Sequence, residues 1–193
     1  LFGEKVPKFD SVAFLKDAKY LEGYLFPDTY LFLPNVKEGQ VIKEMKDVFN
    51  RRISEISEKI SKFGKPIEDV IVMASILEKE ARTTKSRKII AGILWKRIEI
   101  GMPLQVDAVF PYINGKNTFE LTLEDLKIDS PYNTYKYKGL PVGPISNPGL
   151  DSIEAAVTPT PSPYLFYLSS KKGKMYYAKD FNGHKKNRRL YLK

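Results

Sequence analysis

The sequence predicts an α+β domain with helices at its centre and a small antiparallel sheet near its carboxyl end. Apolar residues recur at steps of three and four through much of residues 39–100, which is the spacing of amphipathic helices. Two short aromatic-rich segments, residues 164–168 and 174–178, flank a Ser/Lys/Gly turn and predict a β-hairpin. Residues 130–149 hold four Pro and three Gly, too many for a regular element, and predict a long structured loop.

The amino-terminal half is predicted to be mostly helical. Residues 10–20 can form a short helix, and the aromatic stretch 21–33 predicts a loop followed by a strand. One long helix is predicted over residues 39–63, because its apolar positions keep helical spacing until Gly64 and Pro66 stop it.

Two further helices are predicted next, over residues 66–81 and 86–100, and the second ends at Gly101 and Pro103. Residues 122–127 predict a capped helical turn.

Beyond the structured loop, Asn147 and Pro148 can begin a helix that runs to Val157. The tail after the hairpin is short and basic, and we expect it to be helical.

Composition favours a single globular unit with a polyanionic partner or setting. The chain has 193 residues, of which 42% are hydrophobic, enough for one core but not for two independent domains. Its 32 Lys and Arg residues exceed its 23 Asp and Glu residues, which gives a net charge of +9.

Missing residue types exclude several kinds of chemistry. Without Cys the chain has no thiol nucleophile, disulfide or Cys-ligated metal, and the single His184 cannot supply a His-rich metal site. No Gly-rich phosphate-binding pattern and no bilayer-spanning apolar run occurs. We therefore expect no metal and no cofactor, and we expect the given chain to be soluble.

Two carboxylates near the end of the second predicted central helix are the leading candidates for catalysis. At about 100° per residue, Glu78 and Glu80 lie on opposite flanks of an apolar stripe, and Lys79 faces away. Burial at such an edge raises the pKa of a carboxyl and allows it to donate a proton near neutral pH. The alternative is that both are solvated helix charges, with Glu78 pairing with Arg82.

The structured loop is the second candidate site. Its Tyr, Asn and Thr side chains suit sugars, which need aromatic faces for their C–H surfaces and amides for their hydroxyls. Glu22, Asp28 and the turn from Gln105 to Asp107 could add polar contacts. The alternatives are a rigid cover over the sheet edge for the loop, and caps or turns for the other residues.

The basic tail motivates a different function. Lys185, Lys186, Arg188 and Arg189 follow His184, and they could form part of a nucleic-acid-binding surface. No helix-turn-helix or RNA-recognition motif accompanies them, so nucleic-acid binding without catalysis is kept as the alternative function.

Several motifs in order resemble one known family. They are Leu21-Glu22-Gly23-Tyr24-Leu25-Phe26-Pro27-Asp28-Thr29-Tyr30, Ala74-Ser75-Ile76-Leu77-Glu78-Lys79-Glu80, Gly101-Met102-Pro103-Leu104-Gln105-Val106-Asp107, Tyr132-Asn133-Thr134-Tyr135, and Gly139-Leu140-Pro141 through Asn147-Pro148-Gly149. Together they resemble the YceG-like endolytic murein transglycosylases, the MltG family, over nearly the whole chain. The resemblance implies cleavage of the β-1,4 bond between N-acetylmuramic acid and N-acetylglucosamine in peptidoglycan, leaving a 1,6-anhydromuramoyl end.

The resemblance also implies roles for particular residues. Glu78 would act first as general acid and then as general base, with Glu80 as the runner-up; a hydrolytic muramidase using the same acid is the alternative enzyme. The implied substrate-binding residues are Glu22, Asp28, Gln105, Asp107, Tyr132, Asn133 and Tyr135. This chain departs from the family pattern at Ala108-Val109, where Pro-Thr is common, and at Val142, where a second Pro is common.

By the same resemblance, residues 1–193 form one catalytic domain, and residues 1–20 are the end of a linker or of an upstream LysM-like segment. A membrane helix would precede Leu1 and hold the full-length protein on the outer face of the cell membrane. The implied partners are peptidoglycan glycan strands and penicillin-binding proteins of wall synthesis, with no nucleic acid.

Overall fold

The computed structural model describes residues 9–192, which fold into eight α-helices and one two-stranded antiparallel sheet. The helices are α1 (Ser11–Ala18), α2 (Glu38–Glu55), α3 (Ser57–Phe63), α4 (Ile67–Glu80), α5 (Thr84–Glu99), α6 (Phe110–Ile113), α7 (Leu150–Val157) and α8 (Phe181–Tyr191). The strands are β1 (Phe166–Ser169) and β2 (Met175–Ala178), and short 3-10 turns occur at Lys19–Leu21, Asp107–Val109, Thr118–Glu120 and Asp125–Lys127. The predicted α+β class is confirmed.

Helix α4 is the centre of the main core. Every residue from Val70 to Leu77 is buried, because α5 and α7 both pack against it. The structured loop covers it as well: the Ile145 N–H donates to Ser75 Oγ at 3.0 Å, and the Ser146 hydroxyl donates to the Ser75 carbonyl at 3.1 Å. The last turn of α4 emerges from the core, and that turn carries both candidate glutamates.

A smaller apolar cluster joins α1 to α2. It consists of buried Phe9, Val36 and Val41 with Phe14, Phe32 and Met45 packed against them. Two of its members, Phe9 and Phe14, belong to residues 1–20, where a linker or upstream segment is predicted to end. Residues 1–8 of that prediction lie outside the described residues, and the domain boundary stays a prediction.

The strand predicted within residues 21–33 does not form. A strand needs a ladder partner, and the backbone of this stretch bonds elsewhere. The N–H groups of Gly23 and Leu25 donate to Asn147 Oδ1 at 2.7 and 3.2 Å, and the Phe26 N–H donates to the Met45 carbonyl at 3.2 Å. The stretch is therefore an extended segment that joins the structured loop to α2.

The single helix predicted over residues 39–63 is divided at Ile56, which leaves helical geometry with φ −117° and ψ 13°. The Ser54 hydroxyl donates to the Asn50 carbonyl and the Ser57 hydroxyl to the Ser54 carbonyl, and such side-chain bonds compete with the helix ladder. The break lets Ile56, only 4% exposed, enter the main core.

The predicted hairpin is confirmed, with Phe166 opposite Ala178 and Ser169 opposite Met175. Asp180 caps the amino end of α8, since its carboxylate accepts the Gly183 N–H at 2.8 Å, and α8 packs on both strands. Buried Arg97 of α5 ties the start of the hairpin to the main core, since its guanidinium donates to the carbonyls of Leu165 and Leu104, both at 2.7 Å. Among residues 9–192, no helix is both long enough and apolar enough to cross a bilayer.

Candidate active site

Glu78 is tied into the protein by both of its carboxylate oxygens. Oε2 accepts the Ser152 hydroxyl at 2.6 Å and the Gly149 N–H at 3.1 Å. Oε1 lies 3.4 Å from the Arg87 guanidinium, which also pairs with Asp151. Its side chain is 30% exposed, and the alternative pairing with Arg82 is not the one observed. Glu78 thus connects α4 to α5 and α7.

Glu80 has different surroundings, although it is only two residues away and also half-buried. The pKa of its carboxyl is raised to about 7, chiefly by burial and also by the nearby charge of Asp107. Hydrogen bonds from the Tyr167 hydroxyl and the Ala108 N–H oppose this rise in the pKa. The result is a carboxyl that exchanges a proton near neutral pH.

The groups around Glu80 come from three separate parts of the chain. Asp107 begins a 3-10 turn and accepts a hydrogen bond from the Tyr135 hydroxyl of the structured loop. Burial, followed by the contact with Asp107, raises the pKa of Tyr135, so this phenol stays protonated. Burial and Glu80 raise the pKa of Tyr167 in the same way. We call Glu80, Asp107, Tyr135 and Tyr167 the Glu80 cluster.

Gln105 has an uncommon backbone conformation beside this cluster. Its φ is +50°, and among the described residues other than Gly it alone has a positive φ. Its N–H donates to the Thr134 carbonyl at 3.1 Å, and the next N–H, from Val106, donates to Thr134 Oγ1 at 3.0 Å. These bonds to buried Thr134 hold the strained turn, which leaves the Gln105 side chain exposed.

Two tyrosines form an aromatic pair at a further part of the site. The rings of Tyr112 and Tyr132 lie 4.7 Å apart, tilted by 39°, and Tyr112 is 41% exposed. Burial raises the pKa of Glu22, while Lys79 of α4 lowers it, and the Glu22 charge in turn raises the pKa of Tyr112. Glu22 is therefore close enough to both Lys79 of α4 and Tyr112 for their charges to interact.

Two residues predicted to bind substrate have other surroundings. Asn133 is completely buried, and its amide bonds only to backbone: Nδ2 donates to the carbonyls of Leu126 and Ile128, and Oδ1 accepts N–H groups of Tyr135 and Lys136. The Asp28 carboxylate lies 3.9 Å from the Arg52 guanidinium of α2 and accepts the N–H of Thr29. No described contact brings Asp28 to the Glu80 cluster.

Tyr167, Tyr112 and Arg97 were not predicted from the sequence. The hairpin prediction placed Tyr167 on a strand, and the alternation of strand side chains would have put it on one face with Leu165, but nothing in the sequence indicates that α4 meets that face. Tyr112 follows the turn that departs from the family pattern, and Arg97 resembles any basic residue of a helix.

The described residues offer little for a metal or a small cofactor. No group of three or more His, Asp or Glu within residues 9–192 is arranged to hold a metal ion. A mostly apolar cavity of about 440 Å³ lies between α1 and the 30–32 stretch, lined by Phe9, Phe14 and Tyr30 among others. It contains none of the candidate carboxylates, so we do not place the chemistry there.

The fold and site define a helix-rich α+β protein with a proton-exchanging carboxyl at the end of its central helix. The model of the YceG-like family matches residues 4–190, and the chain belongs to that family. It is 38% identical over 181 residues to an endolytic murein transglycosylase of Bacillus subtilis, covering 93% of this chain and 50% of that protein. It is 36% identical over 191 residues to an endolytic murein transglycosylase of Streptococcus pneumoniae, covering 95% of this chain and 34% of that protein.

A solved structure has the same fold. The crystal structure of a yceG-like protein from Listeria monocytogenes matches with a TM-score of 0.81 at 36% identity, over 95% of this chain and 66% of that one. The chain thus spans between a third and a half of the length of the two named relatives and about two thirds of the solved chain.

Proposed function

We propose that this chain is the catalytic part of an endolytic lytic transglycosylase that cuts the glycan strands of peptidoglycan. The bond broken joins N-acetylmuramic acid to N-acetylglucosamine, and the new muramoyl end is a 1,6-anhydro sugar. Membership of the YceG-like family and the names of the two bacterial relatives support this activity. The half-buried Glu80 carboxyl, whose pKa is raised to about 7, is the structural observation that carries it.

Glu80 would serve both halves of the reaction. In the first half, the protonated carboxyl gives its proton to the glycosidic oxygen as the bond from C1 to that oxygen breaks. In the second half, the carboxylate takes the proton of the muramoyl 6-hydroxyl as that oxygen bonds to C1. The proton on Glu80 is restored and no water is consumed. A second carboxylate nucleophile is unnecessary, unlike in ordinary retaining glycosidases, because the substrate's acetamido group can stabilise the developing cation.

The resemblance implies Glu78 as the acid, but the contacts favour Glu80. Glu78 pairs with a cation and joins three other segments, on which its partners Arg87, Gly149 and Ser152 lie. The hydrogen bonds to Glu80 come instead from the Tyr167 hydroxyl and the Ala108 N–H. We therefore assign Glu78 to positioning: it holds the structured loop and α7 on the catalytic helix. Glu80 is the carboxyl with neutral tyrosine neighbours and a pKa suited to proton exchange.

The residues next to Glu80 are suited to binding a sugar chain. The exposed face of Tyr112, supported by Tyr132, can stack on the C–H face of a hexosamine, and the exposed Gln105 amide can bond to hydroxyl or acetamido groups. Glu22, whose charge acts on Tyr112, can accept bonds from sugar hydroxyls. Asp107 and Tyr135 would act mainly through Glu80. The Asp107 charge raises the pKa of Glu80, and the Tyr135 hydroxyl donates to Asp107.

The substrate also fixes the setting of the proposal. Peptidoglycan lies outside the cytoplasmic membrane, so the full-length protein would work on that face, anchored through a helix outside this chain. Penicillin-binding proteins, which act on the same wall, are the proposed neighbours. The family assignment gives no support to the nucleic-acid alternative.

The test is the product formed by the 193-residue chain from isolated peptidoglycan, measured by mass spectrometry. We expect anhydromuramoyl ends, one water lighter than reducing ends, and no such product from Glu80→Gln. Reducing ends would instead support the muramidase alternative. If no glycan is cut and nucleic acid binds tightly at physiological salt, the binding alternative replaces the enzyme.

A further inference from the structure

The carboxyl-terminal part of the chain concentrates positive charge. Residues 169–192 contain eight Lys and Arg residues and one Asp, so this eighth of the chain supplies most of the net charge of +9. The Asp180 carboxylate is already used to cap α8. Within the described part of the chain, none of these eight cations is in an ion pair with an acidic side chain. This surface is therefore free to meet an external anion.

Helix α8 has one face fixed to the hairpin. His184 stacks on Phe166 at 5.3 Å, Tyr191 stacks on Tyr176 at 3.6 Å, and the Asn187 amide donates to the Tyr177 carbonyl at 3.2 Å. Because residues at steps of three, four and seven share a helix face, the opposite face must point away from the protein.

The exposed side of α8, which begins at the edge of the hairpin contact, mixes cations with apolar side chains. Phe181, Lys185, Arg188 and Leu192 follow one stripe at helical spacing, with Arg189 beside it, and all five are exposed. Phe181 lies at the edge of this stripe, where its ring also contacts that of Phe166 at 5.9 Å. Phe181 is 55% exposed and Leu192 is 44% exposed. The Lys185 ammonium lies 5.3 Å from the centre of the Phe181 ring. We call these five residues the basic face.

We propose that the basic face of α8 binds the surface of a membrane that contains anionic lipids. Its cations are suited to lipid phosphates, and each basic residue near such a surface adds to the attraction. The exposed Phe181 and Leu192 favour a lipid interface over a fully hydrophilic anionic polymer, because they can enter the boundary between headgroups and acyl chains.

The hairpin relates this face to the candidate site. Successive strand residues point to opposite faces, and Phe166 contacts α8 while Tyr167 reaches Glu80. The basic face and Glu80 are thus separated by about one helix and one sheet layer, roughly 15 to 20 Å. If the proposed activity holds, a bound chain would act on glycan close to the membrane; the lipid binding itself does not depend on that activity.

Vesicle flotation with the 193-residue chain tests the proposal. We expect binding to vesicles of phosphatidylglycerol and phosphatidylcholine but not to phosphatidylcholine alone, with a loss at high salt. Changing Lys185, Arg188 and Arg189 together to Gln should weaken binding roughly a hundredfold. The matched control changes the exposed Lys16, Lys19 and Lys46 to Gln, which removes the same charge from α1, α2 and the turn between them.

A second variant distinguishes lipid from polymer. Phe181→Ser combined with Leu192→Ser should weaken vesicle binding and leave binding to soluble poly(glycerol phosphate) unchanged. Circular dichroism checks that α8 is retained in each variant. The proposal is overturned if the control triple variant loses as much binding as the α8 triple variant. It is also overturned if the serine variant binds vesicles as tightly as the parent chain.

Discussion

The Gly149 N–H donates a hydrogen bond to Glu78 Oε2 at 3.1 Å, which joins residues 71 positions apart. Gly149 is the last residue of the structured loop, and the Ser152 hydroxyl in the first turn of α7 donates to the same oxygen. Glu78 is therefore where the loop, α7 and α4 are held together. This arrangement supports the positioning role proposed for Glu78 beside Glu80.

Replacing Glu80 with Gln should abolish most turnover while the fold is kept. The amide has nearly the same shape and can still accept the Tyr167 hydrogen bond, but it cannot donate and reclaim a proton. We expect the rate of anhydromuropeptide release to fall roughly a hundredfold to ten-thousandfold, measured by chromatography of digested peptidoglycan.

Glu78→Gln is the control for this result. It weakens the pairing with Arg87 and should lower the free energy of unfolding by about 1 to 3 kcal/mol, because Arg87 is mostly buried. Its residual activity should exceed that of Glu80→Gln. A folded Glu78→Gln protein with no activity, beside an active Glu80→Gln protein, would return the acid role to Glu78.

The pH dependence of kcat/KM should follow the Glu80 carboxyl. The free enzyme must carry the proton, so we expect kcat/KM to fall about tenfold per pH unit above the pKa of about 7. Asp107→Asn removes a like charge that raises this pKa, and the falling limb should move to lower pH. A limb that stays in place in Asp107→Asn would contradict the assignment of Glu80 as the titrating group.

Stability should report the same carboxyl independently of activity. The pKa of Glu80 is raised from 4.5 to about 7 in the folded protein, so the unfolded chain loses this proton first as pH rises. The wild type therefore loses stability between these two values, whereas Glu80→Gln does not. The free energy of unfolding of Glu80→Gln, relative to that of the wild type, should therefore rise by about 1 to 3 kcal/mol from about pH 4 to about pH 8.5. These energies allow for partial solvation of the side chain. Urea unfolding at both pH values measures the free energies of unfolding of the two proteins. If the variant differs from the wild type by the same amount at both pH values, the pKa of Glu80 is not raised in the folded protein.

Much of the fold could be predicted because its local signals agree with its tertiary contacts. Gly64, Pro66, Gly101 and Pro103 end helices near the predicted places, and the hairpin alternation gives the observed strands. The strand predicted in residues 21–33 failed because aromatic residues there pack on α2 and the loop without a ladder partner. Sequence periodicity cannot report which segment will be adjacent.

The site could be predicted only in part for the same reason. Periodicity placed Glu78 and Glu80 correctly on the two flanks of one helix, but the difference between them comes from distant residues. Ser152 and Gly149 meet Glu78, whereas Tyr167 meets Glu80, and all three are more than 65 positions away along the chain. Asn133 was expected to face a sugar, whereas its amide bonds to backbone groups. An Asn in a loop carries no sequence signal that distinguishes these two surroundings.

Asn133→Ala should act on stability. The substitution leaves the carbonyls of Leu126 and Ile128 without their amide donor inside the protein. We expect the free energy of unfolding to fall by about 2 to 3 kcal/mol, measured by urea denaturation. Activity per folded molecule should fall less than in Glu80→Gln. Unchanged stability with a large loss of activity would instead place the Asn133 amide against the sugar.

Tyr112→Ala should weaken substrate binding and leave the chemical step largely intact. Tyr112 stacks on Tyr132 and has an exposed face, so its removal takes away sugar contact area that is present in both the ground state and the transition state. Loss of one aromatic contact should raise KM roughly three- to tenfold with little change in kcat, measured with soluble glycan strands of defined length. Tyr112→Phe keeps the ring and should behave almost as wild type. The matched control is Tyr137→Ala, which removes an equally exposed tyrosine whose hydroxyl bonds to Asp129. If Tyr137→Ala raises KM as much as Tyr112→Ala, the aromatic pair has no special part in binding the glycan.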